Sequence, residues 1–405
     1  MTVKKTYSII LVALDGSDLS LLGGRIGLDL AKVAGARVVA CHVYGAELHR
    51  TRFMDMEPGL KAEYQDQAFL RGLRKTHDSL INDGLAALSR GYMDRFLLEA
   101  DEAKVKTVRV ELEGRNYTKI LELARTEQAD LIVLGAHGLG DLGDGRLGST
   151  VNRVLRSARA DLLVARTRPR GKGILAGIDG SQAALNGLER AGTWSGLAGS
   201  KLELAAAFDP LFHNQVFKAM ARSLSPQRQE EVGLAAQEKL HQEIIDEGLA
   251  SLYRVFLGRA AQKAGELGLT AAQTLLQGKP YRALVDHLDK ESFDLVLVGR
   301  HGHHREPGGS IGSNAEAVAA LAPTNVLVTA AEGSAGDRAL AQELEWEEEA
   351  LARLAKIPPQ PRVMARRAVE ELVRAKGGDK VTLADLLEAA RRFGMSGEDP
   401  AGGRG

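Results

Sequence analysis

Two stretches of the chain combine glycine with hydroxyl or amide side chains at one fixed spacing, which is typical of a loop that binds an anion. They are Gly135-x2-Gly138-x9-Gly148-Ser149-Thr150 and Gly299-x2-Gly302-x9-Gly312-Ser313-Asn314. Glycine lets backbone N–H groups approach a ligand because it has no Cβ, and a Gly-Ser pair that opens a helix presents free N–H groups to an anion. Serine, threonine and asparagine side chains add donors. The pattern predicts two loops that cradle a phosphate chain.

The first loop also contains Gly138-Leu-Gly-Asp-Leu-Gly143, which matches the G-x-G-x-x-G string of dinucleotide-binding folds. That fingerprint belongs to the first strand-to-helix turn, whereas this loop follows the fourth predicted strand. The chain contains no G-x-x-x-x-G-K-[ST] string of the kind that binds nucleoside triphosphates. A tight glycine turn followed by a helix cap is the structural alternative. The repetition of the same spacing in two places disfavours it.

The chain repeats itself with an offset of 164 residues. Ile10-Leu-Val-Ala-Leu-Asp-Gly-Ser17 resembles Ile174-Leu-Ala-Gly-Ile-Asp-Gly-Ser181, so Asp15 and Asp179 are counterparts at the offset of 164 (179 − 15). The glycines of the two loops differ by the same number. Shared spacing across separated motifs indicates duplication of one domain. We call the two halves the first copy and the second copy; the stretch between them, 166–173, is basic and is broken by a proline and two glycines.

Short apolar runs alternate with segments of helical period in each copy, which indicates an α/β fold with a parallel sheet covered on both faces. The predicted strands are 8–14, 37–43, 107–111, 131–134 and 162–165 in the first copy, and 173–178, 201–207, 269–276, 295–298 and 325–329 in the second. Helices are predicted between them, most clearly at 20–34 and 117–127. The stretches 45–106 and 208–268 are about twice as long as one crossover helix needs. They predict helical insertions.

Composition narrows the classes of function. The 405 residues contain 53 basic and 53 acidic side chains, so net charge gives no reason to expect a nucleic-acid or membrane partner. No apolar run approaches the length of a membrane span, and the N-terminus does not resemble a signal peptide. The single cysteine, Cys41, lies in an apolar run and has no disulfide partner. These features predict a cytoplasmic protein.

Taken together, these motifs resemble the universal stress protein family, here in tandem. The resemblance rests on the Asp-Gly-Ser that follows the first strand, the glycine spacing, and Leu147-Gly-Ser-Thr-Val-Asn-Arg-Val-Leu-Arg-Ser157 before the last strand. It covers about residues 6–168 and 172–331. It implies two five-stranded parallel sheets of strand order 3-2-1-4-5, the Rossmann-like fold of the adenine nucleotide alpha hydrolases. It also implies association through the fifth strands and binding of ATP, with or without Mg²⁺.

The resemblance also implies which residues bind the nucleotide. In the first copy they are Asp15, Val43, Gly135, Gly138, Gly148, Ser149 and Thr150. In the second copy they are Asp179, Gly299, Gly302, Gly312, Ser313 and Asn314, with Ala207 a looser match to Val43. The helix after the second loop lacks counterparts of Arg153 and Arg156 and so has less positive charge for a triphosphate. The first copy is therefore predicted to be the tighter site.

Two other kinds of chemistry, metal binding and nucleotide hydrolysis, have partial support in the sequence. The run His301-Gly-His-His304 offers three imidazoles to a metal ion, but a fourth ligand is not evident, and no metal site is predicted. Hydrolysis of a bound nucleotide needs a positioned water, and no base stands beside either loop. The chain is therefore interpreted as a binding protein with at most slow ATP hydrolysis. The alternatives are a scaffold whose loops no longer bind nucleotide, and a true ATPase or ATP-pyrophosphatase-like transferase.

The composition changes after about residue 332, where a small all-α domain is predicted from helices at 340–355, 363–375 and 382–393. Its pattern, including Trp346, Arg362, Arg366 and Glu370, is similar to the small domain that ends the B subunit of light-independent protochlorophyllide reductase. The ligands and catalytic body of that enzyme are absent, so its chemistry is not implied. The predicted role is to bind a protein partner that the sequence does not identify.

The predicted organisation is a first universal-stress-like domain at 1–168, a second at 172–331, a helical domain at 340–395 and a disordered tail at 396–405. The predicted function is an adenine-nucleotide-binding stress-response or signalling protein. Nucleotide occupancy would be coupled to a partner or to oligomerisation, either as a homo-oligomer or as a pseudo-dimer formed by the two copies within one chain.

Overall fold

The computed structural model describes residues 6–140, 147–231, 248–302, 311–330, 345–355, 365–366, 369–370, 372–373 and 380–392. The chain divides into two compact units, Met1–Gly333 and Ser334–Gly405. The two copies together form the first unit, and the C-terminal segment forms the second. No helix within the described ranges is long and apolar enough to cross a membrane.

One ten-stranded sheet runs through the first unit, in the order β3-β2-β1-β4-β5-β10-β9-β6-β7-β8. The first copy contributes β1 (Ile9–Leu14), β2 (Arg37–Tyr44), β3 (Thr107–Glu113), β4 (Leu131–Gly135) and β5 (Asp161–Ala165). The second copy contributes β6 (Ile174–Gly177), β7 (Leu202–Phe208), β8 (Ala271–Gln277), β9 (Leu295–Gly299) and β10 (Asn325–Thr329). Each half has the predicted order 3-2-1-4-5, so the α/β fold is confirmed.

Helices connect the strands of each copy. The described helices of the first copy are α1 (Asp18–Ala34), α2 (Ala46–Met56), α3 (Gln67–Glu102), α4 (Asn116–Thr126) and α5 (Ser149–Ser157). Those of the second are α6 (Gln182–Ala198), α7 (Pro210–Ser223), α8 (Pro226–Glu231), α9 (Leu249–Glu266), α10 (Pro280–Lys290) and α11 (Ser313–Leu321). The central strands are buried almost throughout, as the continuous apolar runs predict for a sheet covered on both faces.

Capping residues fix where the helices after β1 and β6 begin. The Ser17 hydroxyl accepts a hydrogen bond from the Ser20 N–H at 3.2 Å and caps α1. The Ser181 hydroxyl does the same for the Ala184 N–H at 3.2 Å and caps α6. Such caps satisfy N–H groups that have no partner inside the helix. The serine of each Asp-Gly-Ser motif therefore has a structural task in both copies.

The two copies join where β5 and β10 pair antiparallel, with Leu163 opposite Leu327. Asp161 and Asn325 occupy equivalent places at this junction, since each accepts a backbone N–H from the other copy: Asp161 from Ala330 at 2.8 Å and Asn325 from Arg166 at 2.8 Å. Asp161 is 1% exposed and pairs with Arg190 of α6, Nε to Oδ2, at 2.8 Å. The Asp161 position of the junction thus holds an ion pair, whereas its counterpart, Asn325, is a neutral amide.

The insertions predicted at 45–106 and 208–268 are helical where they are described. The 36-residue helix α3 packs two aromatic rings against glycines of the first copy, because a Cβ on Gly16 would overlap the Tyr92 ring and a Cβ on Gly24 would lie 2.6 Å from Phe96. Gly16 also has a φ of 81°. The second copy repeats the first of these contacts with Gly180 and Phe256 of α9. Both insertions therefore cover the turn that follows the first strand.

The second unit has its own apolar core, but it is not purely helical. The predicted helix at 340–355 is wrong at its start: Glu345–Trp346 is a short strand, β11, and the helix α12 spans Glu348–Ala355. β11 pairs in parallel with β12 (Lys380–Val381), and this pairing holds the chain extended up to Trp346. The last predicted helix is confirmed as α13 (Leu383–Arg392).

A capping box begins α13. The Asp385 N–H donates to the Thr382 hydroxyl at 3.3 Å, and the Thr382 N–H donates to the Asp385 carboxylate at 3.1 Å. The predicted helix at 363–375 lies mostly outside the described residues, although the six described positions within it are helical. The predicted disordered tail lies entirely outside them.

Candidate functional site

The carboxyl ends of the parallel strands of the first copy surround a cavity of about 510 Å³, a volume typical of small-molecule sites. Its walls come from β1, β2 and β4 and from the first turns of α4 and α5. The residues predicted for the first site all line it: Asp15, Val43, Gly135, Gly138, Gly148, Ser149 and Thr150. The structure therefore brings together residues that are up to 135 positions apart (150 − 15) in sequence.

Other lining residues were missed by the sequence analysis. They include Asn116 and Ile120 of α4, Ser20 of α1, and Leu147. Asn116 and Ile120 follow β3, whose carboxyl end reaches the same edge of the sheet, so the strand order could have pointed to them. Asn116 adds an amide to a wall that is otherwise apolar around Val43 and Ile120.

Asp15 is held in a defined orientation. Its Oδ1 accepts the Ser17 N–H at 3.0 Å and the Ser17 hydroxyl at 2.6 Å. Its Oδ2 lies so close to Gly138 that a Cβ at this glycine would overlap the carboxylate oxygen. Glycine is thus required at position 138 for the loop to pass the carboxylate, and the two hydrogen bonds leave Oδ2 on the side of the loop.

The glycines of the repeated pattern have different structural roles. A Cβ on Gly135 would lie 2.8 Å from the backbone of Leu19 and Ser20, so this glycine lets α1 approach β4. Gly135 also lines the cavity, and its predicted role of letting backbone N–H groups approach a ligand stays a prediction. Gly148 donates its N–H to the Ala136 carbonyl at 2.9 Å, and a Cβ there would lie 3.3 Å from the His137 Cα. Gly148 therefore closes the loop against itself.

The N-terminus of α5 is open, unlike that of α1. Gly148 is its N-cap and makes no side-chain cap hydrogen bond within the described residues. The first N–H groups of a helix have no intrahelical acceptor and lie at the positive end of the helix dipole. Because Ser149 and Thr150 of this first turn line the cavity, the N–H groups there are placed for an anionic ligand.

The two arginines of α5 have different surroundings. The Arg153 guanidinium lies over the Tyr117 ring, 4.8 Å from its centroid. Arg156 instead donates from Nε to the Glu316 carboxylate of the second copy at 2.8 Å. Both arginines were predicted to add positive charge near a triphosphate, but Arg156 forms an ion pair between the copies. This leaves Arg153 as the cation of α5 for the first site.

A buried histidine lies behind the cavity, on the side of β2 that faces α3. His42 is 8% exposed and its Nδ1 has no partner among the described residues. The Tyr92 ring meets it edge-on at 5.4 Å. Burial lowers the pKa of His42, while the carboxylates of Asp15 and Glu111 oppose the shift. The counterpart of His42 in the second copy is an alanine, Ala206 (206 − 42 = 164).

The second copy repeats the backbone of this site. The Ser181 N–H donates to Asp179 Oδ1 at 2.9 Å, and a Cβ on Gly302 would lie 3.0 Å from Asp179 Oδ2. A Cβ on Gly299 would lie 2.9 Å from Ala183, so this glycine serves helix packing as Gly135 does. Gly312 is the N-cap of α11, again without a side-chain cap hydrogen bond, so Ser313 and Asn314 begin a second open helix.

The side chains around the second site differ. The counterparts of Val43, Asn116, Asn152 and Arg153 are Ala207, Pro280, Glu316 and Ala317. Glu316 lies in the first turn of α11, where its negative charge competes with an anionic ligand, and Arg156 pairs with it there. His303 and His304 lie outside the described residues, and no group of three metal-ligating side chains occurs within the described ones.

Family comparison agrees with this architecture. The model of the universal stress protein family matches residues 6–166 and 172–330. The model described as proto-chlorophyllide reductase 57 kD subunit matches residues 346–391.

Individual relatives resemble one copy at a time. A universal stress protein of Methanocaldococcus jannaschii is 30% identical over 162 residues, which is 40% of this chain and 82% of that protein. One of Thermus aquaticus is 28% identical and covers 40% of this chain and 99% of its own length. One of Mycobacterium tuberculosis is 30% identical over 165 residues, and the matched region is 46% of that protein. The chain thus spans about half the length of the mycobacterial relative.

Solved structures resemble both copies together or one copy alone. A universal stress protein from Archaeoglobus fulgidus covers 79% of this chain and 97% of its own at 14% identity and a TM-score of 0.48. A universal stress protein solved in complex with cAMP covers 40% of this chain and 99% of its own, at 24% identity and a TM-score of 0.27. With the family model matching most of the sequence in two consecutive segments, the chain belongs to the universal stress protein family as a tandem member with an added C-terminal segment.

Proposed function

We propose that the first copy binds an adenine nucleotide, with ATP as the ligand that fills the site, and that occupancy controls an association of the chain. One observation carries the proposal: an oriented carboxylate, an apolar wall and an open helix N-terminus line the same cavity. These groups suit the three parts of a nucleotide. A binding role follows from them without any catalytic group.

Each part of the ligand has a complementary surface. The Asp15 carboxylate can accept a hydrogen bond from the amino group of adenine, because an ionised carboxylate only accepts. Val43 and Ile120 provide an apolar wall for the ring. The phosphates meet the N–H groups of Ser149 and Thr150 at the N-terminus of α5, where the helix dipole favours negative charge.

Nucleotide binding would control association by ordering segments of the first site. A ligand that bridges Asp15, the loop after β4 and the first turn of α5 favours one arrangement of these segments over others, and a ligand shifts an equilibrium only by such differential binding. The second unit, which has its own core around Val381 and Leu386, is the proposed attachment point for a protein partner. In this proposal the second copy is the weaker nucleotide site.

The experiment for binding is calorimetric titration of the full chain with ATP, ADP and cAMP. We expect ATP to bind, Asp15→Ala to weaken binding at least about tenfold, and the matched Asp179→Ala to leave the tight event in place. Absence of ATP binding by the unsubstituted chain would overturn the proposal. Tighter binding of cAMP than of ATP would keep the site and change the ligand.

The experiment for association is sedimentation velocity of the full chain with and without ATP. We expect the distribution of species to shift when ATP is added, and Asp15→Ala to remove the shift because it weakens occupancy. A distribution that ATP leaves unchanged, at concentrations where calorimetry shows binding, would leave a nucleotide-binding protein and overturn the control of self-association.

A further inference from the structure

The helix α5 serves the first site with its N-terminus and contacts the second copy with its C-terminus. It has only nine residues, and the last carbonyls of any helix lack intrahelical partners. Arg300 of the second copy binds one carbonyl at this end and one just beyond it: its Nη1 donates to Leu155 in the last turn of α5, and its Nη2 donates to Ala160, which lies between α5 and β5, at 3.4 Å. A residue of the second copy therefore holds the end of the helix that binds phosphate in the first.

This contact is buried and charged. Arg300 is 4% exposed, and its Nε has no hydrogen-bond partner among the described residues. Burial lowers its pKa to about 10, a shift that the Asp161 carboxylate opposes. A buried cation is costly unless its surroundings stabilise the charge. The Leu155 carbonyl, at the negative end of the α5 dipole, supplies such stabilisation, so moving α5 away from Arg300 would be unfavourable.

An arginine of the first copy makes the equivalent contact with a helix of the second copy. Arg166, which follows β5, donates from Nη2 to the Ala319 carbonyl of α11 at 2.6 Å. Ala319 is the counterpart of Leu155 at the repeat offset of 164 (319 − 155). The two arginines are not counterparts of each other, because the position equivalent to Arg300 is Ala136. The helix that follows the glycine loop of each copy, α5 or α11, therefore has a C-terminal carbonyl that accepts a hydrogen bond from an arginine of the other copy. The two arginines occupy different positions in the repeat.

The backbone of Arg300 is anchored in the second loop. Its N–H donates to the Thr329 carbonyl at 2.9 Å, and its carbonyl accepts the Gly312 N–H at 2.8 Å. The guanidinium thus extends from a fixed point between β9 and α11. A fixed cation can hold a short helix in place, whereas a cation on a free surface loop would follow the helix.

We propose that Arg300 is a positioning residue for the first nucleotide site, which holds α5 so that its N-terminus meets the phosphate chain. A cation at one end of a helix and an anion at the other both stabilise the same dipole, so each favours the other. Arg300 does not touch the ligand and acts through the helix. The inference rests on the proposed function, because it requires phosphate at the N-terminus of α5.

The test compares ATP with adenosine in the full chain carrying Asp179→Ala, so that binding reports the first site. In this chain Arg300→Met removes the charge and keeps an apolar stem of similar length. We expect it to weaken ATP binding by about fivefold and adenosine binding by less than about twofold, since adenosine carries no phosphate. Arg300→Lys, which keeps the charge without the planar fork, is expected to fall between the two.

Arg166→Met is the matched control, because it removes the equivalent contact on α11 and should leave ATP affinity at the first site unchanged. A melting curve of each variant detects unfolding, and the ratio of ATP to adenosine affinity does not depend on the folded fraction. Equal weakening of ATP and adenosine, or ATP binding unaffected by Arg300→Met, would overturn this inference alone. If the unsubstituted chain binds no ATP, the proposed function fails and this inference fails with it.

Discussion

The first and second copies share backbone features at the described ends of the loops that follow β4 and β9, and they have different side chains around them. Gly138 passes close to Asp15 as Gly302 does to Asp179, more closely in the first copy, and both helices that follow have glycine caps. In the first copy the neighbouring helix α5 carries Asn152 and Arg153. The corresponding residues of α11 are Glu316 and Ala317.

The comparison separates the glycines that the fold itself requires from the side chains that differ between the copies. Gly135 and Gly299 are needed for α1 and α6 to pack on the sheet, so selection for folding alone can preserve them in a copy that binds nothing. The spacing of glycines therefore identifies the fold more securely than the function. The charge and size of the side chains around each loop distinguish the copies.

The largest expected effect concerns the Asp161 position of the junction. Asp161→Ala removes the carboxylate that is closest to the buried Arg190 cation and leaves Glu189 at 3.7 Å, and we expect the free energy of unfolding to fall by about 3–5 kcal/mol. Asn325→Ala, at the neutral counterpart, should cost less, about 1–3 kcal/mol. Urea denaturation of both variants measures the two losses. Similar losses would contradict the view that the junction is asymmetric in energy.

The next effect concerns the close approach of loop and carboxylate. Gly138→Ala adds a methyl group that overlaps the Asp15 carboxylate, while in Gly302→Ala the same group lies 3.0 Å from Asp179 Oδ2. We expect Gly138→Ala to weaken tight ATP binding by at least about tenfold and Gly302→Ala to leave it unchanged. Calorimetric titration of the full chain measures both. A loss caused by Gly302→Ala would place the tight site in the second copy.

A smaller effect is expected from repairing the second site. Glu316→Asn with Ala317→Arg gives α11 the residues that α5 has at these two positions. An acidic side chain is removed and a cation is added near the helix N-terminus. In a chain whose first site carries Asp15→Ala, we expect ATP to bind about threefold more tightly after the repair. Titration at two salt concentrations checks that the gain is electrostatic. With no gain, Pro280 and Ala207 would be the residues that limit this site.

The smallest effect separates the copies by pH. Because the pKa of His42 is lower in the folded chain than in the unfolded one, the unfolded chain takes up the proton first as the pH falls. Stability is therefore present above the ordinary histidine pKa of about 6.5 and is lost as the pH falls below it. His42→Ala introduces the residue that the second copy has at the equivalent position, Ala206. In this variant the midpoint of urea denaturation should depend less on pH between pH 7 and pH 5. An unchanged dependence of the midpoint on pH would show that other groups cause it.

Much of the fold follows from local signals in the sequence. Strands such as 131–134 and 295–298 are continuous apolar runs, and buried parallel strands have this pattern whatever their neighbours. The start of the C-terminal helix was wrong because Glu345 and Trp346 pair with Lys380 and Val381. A two-residue strand has no period of its own, so only the distant partner determines it.

The candidate site shows the same division. Asp15, Gly138 and Gly148 were found from a repeated pattern, and the structure places them around one cavity. Asn116 gives no local signal, since it lines the cavity only because β3 ends at that edge. The roles of Arg156 and Arg300 depend on how two copies of one chain meet, and no motif within either copy describes that contact.

The most direct test of the central claim is mass spectrometry of the nucleotide released when freshly purified full-length protein is denatured, with Gly148→Val and Gly312→Val measured beside it. A side chain at Gly148 meets the backbone of His137, since even a Cβ would lie 3.3 Å from its Cα. We expect retained ATP or ADP in the unsubstituted chain and in Gly312→Val, and loss in Gly148→Val. Equal nucleotide in all three proteins would contradict a site formed by the first loop.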